Sequence, residues 1–229
     1  MLKNIVSLLA VAVLLCGCAS KGGSKAESNK EVGFTPLFNG QDLAGWTYGT
    51  DASGKERKAG AGYQVREGGI VYCTVADGGN LFTEREYANF VLRFDFKLTP
   101  GANNGVAIRS PRTGQIAYDG IEIQVLDDSS PKYAKLRPEQ YHGSVYDVAA
   151  AERGHLKPPG EWNTQEIIAN GRQITVKLNG HTIVDANLDE VSDEAKLKKH
   201  PGIKRESGSI GLLGHGAEVE FRNLRIKEL

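Results

Sequence analysis

Three features of this sequence predict an all-β fold of two antiparallel sheets packed face to face. Apolar residues recur at every second position in one run after another. Asn-Gly pairs separate several of these runs, and glycine is frequent (28 residues) while methionine occurs once. An extended backbone turns successive side chains to opposite faces, so a period of two marks a half-buried strand. Glycine-rich turns among β-branched runs argue against helices. The chain has 229 residues, which suits one large sandwich domain. Its 28 Lys+Arg balance 28 Asp+Glu, and 40% of its residues are hydrophobic. That composition excludes disorder over most of the chain. It also lacks the basic surplus that nucleic acid would demand, so no nucleic-acid partner is expected.

Residues 1–17 do not belong to this fold. Lys3 supplies a positive start, and Ile5 to Leu15 is an apolar run too short to span a bilayer. It ends in Leu15-Cys16-Gly17-Cys18, where a hydrophobic residue three places before a cysteine and a small residue directly before it resemble a bacterial lipobox. The expectation is a lipoprotein signal peptide over 1–17, lipid on Cys18 and a flexible, Lys/Ser/Gly/Glu-rich tether over 18–32. One domain would follow over 33–229. Several acyl chains are enough for stable anchoring, so the expected place is the bacterial cell envelope, with membrane contact through the lipid alone. Ala19 after Cys18 favours the outer membrane over the inner one. Cys73 is then the one cysteine of the domain. It lies in a strand-like run and is expected to pack in the core.

The strands follow in order. Phe90, Leu92, Phe94, Phe96 and Leu98 alternate with Val91, Arg93, Asp95 and Lys97. Val106 and Ile108 alternate with Ala107 and Arg109; Ile121, Ile123 and Val125 alternate with Glu122 and Gln124. His142 to Asp147 reads as a further strand in which His142, Ser144 and Tyr146 share a face and Val145 points inward. Asn170-Gly171 and Asn179-Gly180 mark hairpin tips around Ile174, Val176 and Leu178. Helical signal is weak; residues 189–199 are the best helix candidate, ended by Pro201 and Gly202. Ile210 and Leu212, then Val219 and Phe221, close the series across Gly214-His215-Gly216. Trp46 reads as a packed anchor. Trp162 reads as a core residue entering its strand, though it could stack on a sugar.

One group of strand-face residues is suited to chemistry: Arg109, Glu122, Gln124, Asp127, His142, Ser144 and Tyr146. Glu122 and Gln124 stand roughly 6–7 Å apart on one face. A carboxylate and a carboxamide on a rigid strand can hold a sugar hydroxyl and move a proton. Histidine exchanges protons near neutrality, and a strand-borne Arg can meet a developing oxyanion or pair with Glu122. Glu122, Asp127 and His142 could also hold a divalent metal ion. Each residue has a plainer role as well, as a solvated strand face or a structural ion pair. There is no nucleotide-binding glycine motif, serine nucleophile elbow or His-Glu-x-x-His.

Phe34-Thr35-Pro36-Leu37-Phe38-Asn39-Gly40-Gln41-Asp42-Leu43-Ala44-Gly45-Trp46 resembles the opening of the DUF1080, or 3-keto-disaccharide hydrolase, family. Segments at 104–109, 120–128, 143–146, 160–163 and 208–213 are similar to its further motifs, in the same order. The resemblance implies a concanavalin A-like jelly-roll β-sandwich whose curved outer face binds carbohydrate. It also implies action on oligosaccharides or glycosides oxidised at C3. For such a substrate Glu122 or His142 would be the base, Arg109 or a metal ion would stabilise the enolate, and Tyr146 or Gln124 would orient the sugar. Asn104, Gln124, Asp127, Ser144 and Tyr146 complete the candidate binding set. The alternative is a non-catalytic glycan-binding module on the same fold. A retaining glycosidase ranks third, since it needs paired carboxylates about 5–5.5 Å apart and Glu122 has no acidic neighbour on its strand face.

Overall fold

Strand alternation runs through the observed structure. A computed structural model describes residues 31–50, 53–56, 62–74 and 79–229. The expected signal peptide, the lipidated Cys18 and most of the tether lie outside the described residues. Thirteen strands occur among them: β1 Thr35–Pro36, β2 Trp46–Tyr48, β3 Tyr63–Arg66, β4 Ile70–Cys73, β5 Asn80–Tyr87, β6 Phe90–Leu98, β7 Asn103–Ser110, β8 Ile121–Leu126, β9 Trp162–Asn170, β10 Gln173–Leu178, β11 His181–Asn187, β12 Gly208–Gly214 and β13 Val219–Glu228. They form two antiparallel sheets. One has the order β11-β10-β9-β6-β13-β4-β3, with β1 beside β13; the other has the order β2-β5-β12-β7-β8.

Between the sheets lies the main core. Phe90, Leu92, Phe94 and Phe96 of β6 meet Val106 and Ile108 of β7 and Ile121, Ile123 and Val125 of β8 there. The two faces of β6 differ as the sequence predicts, buried and half-buried residues alternating along its length. Cys73 is buried in this core, as expected. Trp46 is buried and donates its indole N–H to the Leu37 carbonyl at 2.8 Å, which makes it the expected anchor. Asn179 and Gly180 both take positive φ (50° and 88°) at the β10–β11 tip, as a two-residue hairpin turn requires.

Among the described residues the helical content is small: α1 Ile116–Asp119 and α2 Glu194–Lys199, with short 3₁₀ turns. The second falls within the expected 189–199, capped by Asp193, whose side chain accepts from Lys196 N–H at 3.0 Å. Two expectations fail. Residues 142–147 are turns rather than a strand; only Val145 forms isolated bridges, to Ile123 and Ala149. Trp162 is not a core residue. It is half-buried on the outer face of the larger sheet, with the Arg222 guanidinium 3.9 Å and the Lys97 ammonium 4.9 Å from its ring centre. Its position has the parity of Thr164 and Glu166, while Asn163, Gln165 and Ile167 point inward.

Candidate functional site

The outer face of the five-stranded sheet carries the candidate site. Directly opposed residues in an antiparallel pair share a face, so Glu122 stands with Ala107, Gly211 and Phe82 across four strands. Gln124 stands with Gly105 and Leu213 in the next row. Gly105 is required where it is, because a Cβ there would collide with the Glu122 carboxyl that lies across it. Phe82, Ala107 and Leu213, covered by Ile116 of α1, form a small apolar cluster separate from the main core. Glu122 beside that cluster is 3% exposed. Burial pushes its carboxyl up to about 8, so the group is mostly protonated at neutral pH and ionises just above it.

Tyr146 reaches Glu122 through the backbone. Gly143 and Tyr146 donate to the carbonyls of Gln124 (2.8 Å) and Glu122 (2.9 Å), and Gln124 donates to that of Ser144 at 3.0 Å. This short segment extends the sheet edge beside β8. The Tyr146 hydroxyl accepts from the Gln140 amide at 3.2 Å, which leaves its own hydrogen free to donate. The Gln124 amide donates weakly to the Gln140 carbonyl at 3.4 Å. Burial raises the Tyr146 phenol, against the Gln140 hydrogen bond, with Asp147, Tyr118 and Glu122 adding to the rise; the phenol therefore keeps its proton. Glu122, Gln124 and Tyr146 are thus brought together, and Tyr118 and Gln140 join them. Asn103 lies on the same sheet face, opposite Leu126, with a buried side-chain oxygen that has no hydrogen-bond partner. Strand parity identifies Asn103 from sequence, since it shares a face with Gly105 and Ala107. Tyr118 and Gln140 come from loops that no periodicity signals.

The other expected site residues take structural places. Arg109 adopts a positive φ of 47°, which ends the alternation of β7. Its guanidinium donates to the Ala88 carbonyl (2.8 Å), the Gly171 carbonyl (2.7 Å) and the Asn89 side chain (3.1 Å). It ties the β5–β6 and β9–β10 turns together and is 1% exposed. His142 enters the sandwich instead of its surface. Its ring stacks on Phe96 at 5.0 Å, Nδ1 accepts from Leu126 N–H at 3.2 Å, and Nε2 lies 3.0 Å from the Gln165 side-chain oxygen. Burial pushes it down to about 4, against the Gln165 hydrogen bond, so it stays neutral. With Nδ1 accepting, Nε2 carries the hydrogen.

Asp127 accepts from Gly101 N–H at 2.7 Å and Ser129 N–H at 3.0 Å and so holds the turn after β8. Ser144 accepts from Ala151 N–H at 3.0 Å and donates to the Pro138 carbonyl at 3.3 Å. Asn104 faces the core with both amide atoms buried and unpartnered. The set of Glu122, Asp127 and His142 therefore does not converge on a metal ion. Among the described residues no group of three or more His, Cys, Asp or Glu gathers as metal ligands.

Comparison with known proteins places this geometry. Residues 33–227 match a family described as the 3-keto-alpha-glucoside-1,2-lyase-like domain. The 3-keto-disaccharide hydrolase of Bacteroides thetaiotaomicron is 25% identical over 234 residues, covering 86% of this chain and 79% of that protein. A crystal structure from Parabacteroides distasonis, described as a candidate glycosyl hydrolase, is 29% identical with a TM-score of 0.72. It covers 86% of this chain and 99% of that one. The β-glucanase of Bacillus licheniformis shares the jelly-roll fold at 12% identity, with a TM-score of 0.54 over 86% of this chain and 97% of that one.

Proposed function

The chain belongs to the 3-keto-alpha-glucoside-1,2-lyase-like family, and from that premise we propose that it is a carbohydrate-active enzyme that cleaves the glycosidic bond of 3-keto-glycosides or 3-keto-disaccharides. The carrying observation is Glu122: a carboxyl on a rigid strand, nearly buried, raised to about 8 by burial. A ketone at C3 acidifies the C2–H bond. Ionised Glu122 takes that proton, and the electron pair forms the enolate at C2–C3. As the ketone reforms, the pair moves into a C1–C2 double bond and the C1–oxygen bond breaks. The leaving oxygen takes the Tyr146 hydroxyl proton. Water then adds across the double bond, hydroxyl to C1 and hydrogen to C2, which makes the net result hydrolysis. A base that titrates near 8 is stronger than an ordinary carboxylate and still accessible at neutral pH. Gln124, Gln140 and Asn103 supply amide groups for sugar hydroxyls.

The same reading has the chain exported and held at a bacterial envelope by lipid on Cys18. A Cys18→Ser variant should then move from the membrane to the soluble fraction, and an unchanged distribution would remove the anchor.

Purified protein should release aglycone from a 3-keto-glucoside and none from the unoxidised parent. Glu122→Gln should lower kcat/KM by about 10²–10⁴-fold, the usual contribution of a positioned acid or base. Binding of glycan without turnover of either compound would favour a binding module. Turnover of the parent sugar would favour an ordinary glycosidase. Undiminished turnover by Glu122→Gln would remove Glu122 as the base.

A further inference from the structure

A second charged cluster lies directly beside the candidate site, outside the chemistry assigned above. Asp147 follows Tyr146 in the chain and adopts a left-handed φ of 62°, a conformation that costs a non-glycine residue energy. Its side chain is 3% exposed. One carboxylate oxygen accepts from Arg137; the other accepts from the Lys199 ammonium at 2.6 Å and lies 3.5 Å from His200 Nε2. The Asp147 N–H donates to the Glu139 carbonyl at 2.9 Å.

These partners come from separate segments that cover the sheet. Arg137 leads the 3₁₀ turn Pro138–Gln140, which supplies the Gln140 amide to Tyr146. Lys199 ends α2, and His200 caps it. The Tyr118 ring of α1 packs edge-on against His200 at 5.0 Å, with the Lys199 ammonium 5.2 Å from its centre. The Pro201–Lys204 turn meets the end of α1 so closely that a Cβ on Gly202 would strike Gly120. Lys196 of α2 adds a hydrogen bond to the Val148 carbonyl at 3.1 Å. Arg137, Lys199 and His200, with the Tyr118 phenol, are thus the titratable and charged groups gathered around Asp147.

We propose that Asp147 is a positioning residue: it clasps the three covering segments to one another, and so sets the Tyr146 hydroxyl beside Glu122 and keeps water from the Glu122 carboxyl. The strained backbone supports this, because a residue held at unfavourable φ needs its surroundings to over-determine it, and here two cationic side chains and a backbone hydrogen bond do so. Burial alone would raise the Asp147 carboxyl, but Lys199, Arg137 and His200 outweigh it and keep it ionised. The clasp therefore stays charged across the range in which Glu122 titrates.

The functional consequence rests on the reading of Glu122 as the base; the clasp itself does not, so its test reads Glu122 directly. The ionisation of Glu122 is followed by carboxyl infrared absorption, with Glu122→Gln identifying the band. The full chain is compared with Asp147→Asn and with Lys199→Gln, whose exposed ammonium can be removed without leaving a buried charge alone. Both variants should admit water to the site and lower the Glu122 midpoint by about one pH unit or more, as loss of desolvation requires. Turnover of a 3-keto-glucoside should fall about tenfold in kcat with KM nearly unchanged, and the midpoint of its pH profile should move to acid by the same amount. A folded variant with an unmoved Glu122 midpoint overturns the proposal. If Asp147→Asn does not fold, Lys199→Gln decides alone. A shifted midpoint in a protein with no turnover would keep the clasp and discard the enzymatic reading.

Discussion

The two sheets expose opposite kinds of chemistry on their outer faces. On the larger sheet three acids are matched by cations. Glu166 lies between Arg93 and Lys177, Glu220 between Arg66 and Lys97, and Asp95 beside Arg222 and Asn223. In the cavity of about 190 Å³ there, lined by Arg66, Tyr72, Lys97, Glu218 and Glu220 among others, Glu220 is paired with Arg66 and Lys97, and Glu218 shares a hydrogen bond with Tyr72. On the smaller sheet Glu122 stands beside the apolar cluster of Phe82, Ala107, Ile116 and Leu213, and burial alone shifts its carboxyl. Glu166 illustrates the contrast. Burial pushes it up, yet Lys177 and Arg93 win and hold it below the usual range. A paired acid on an open face is a fixed charge, whereas a desolvated acid under a roof is a proton store near neutrality.

Breaking the smaller face should have the largest effect. Gly105→Ala would push the Glu122 carboxyl off its seat. Overpacking of this kind costs about 1–3 kcal/mol of stability, and an ångström-scale displacement of a catalytic group costs about 10²-fold in kcat. Denaturant unfolding and turnover measure the two losses; an unchanged kcat would place the reacting carboxyl elsewhere.

The pH dependence of stability sharpens the comparison. Folded Glu122 keeps its proton to about pH 8, while the unfolded chain releases it near the ordinary carboxyl value of 4.5, so stability falls as pH rises between these limits. His142 has the opposite sign: it is neutral in the fold down to about pH 4 but protonates near 6.5 when unfolded, so stability falls as pH drops through that window. The two slopes oppose each other between about pH 4.5 and 6.5 and leave a plateau there. Above it, up to about pH 8, the Glu122 slope stands alone at up to about 1.4 kcal/mol per pH unit. Urea unfolding of Glu122→Gln should lack that alkaline decline. Glu166→Gln, on the other sheet, should follow the natural protein within about 1 kcal/mol throughout, since a partly exposed ion pair contributes little.

The strand-face reading worked where the backbone stayed extended. Glu122 and Gln124 lie opposite Ile121, Ile123 and Val125, as alternation requires, and the same parity points to Asn103 and to the outward Trp162. It failed where a single dihedral or a turn intervened. Arg109 leaves its face through one positive φ, and residues 142–147 form turns that send His142 into the sandwich. Tyr118, Gln140 and Asp147 lie in loops, where no period connects a residue to its neighbours in space.

The amino-acid sequence by itself determined the two-sheet architecture, the family resemblance and the face on which Glu122 stands, because these follow from a local period of two and from ordered motifs. Only the tertiary structure decided which candidates meet, that Arg109 and His142 are struts, and that Glu122 is deprived of water. Desolvation depends on segments that arrive from distant parts of the chain, and no local pattern records their arrival.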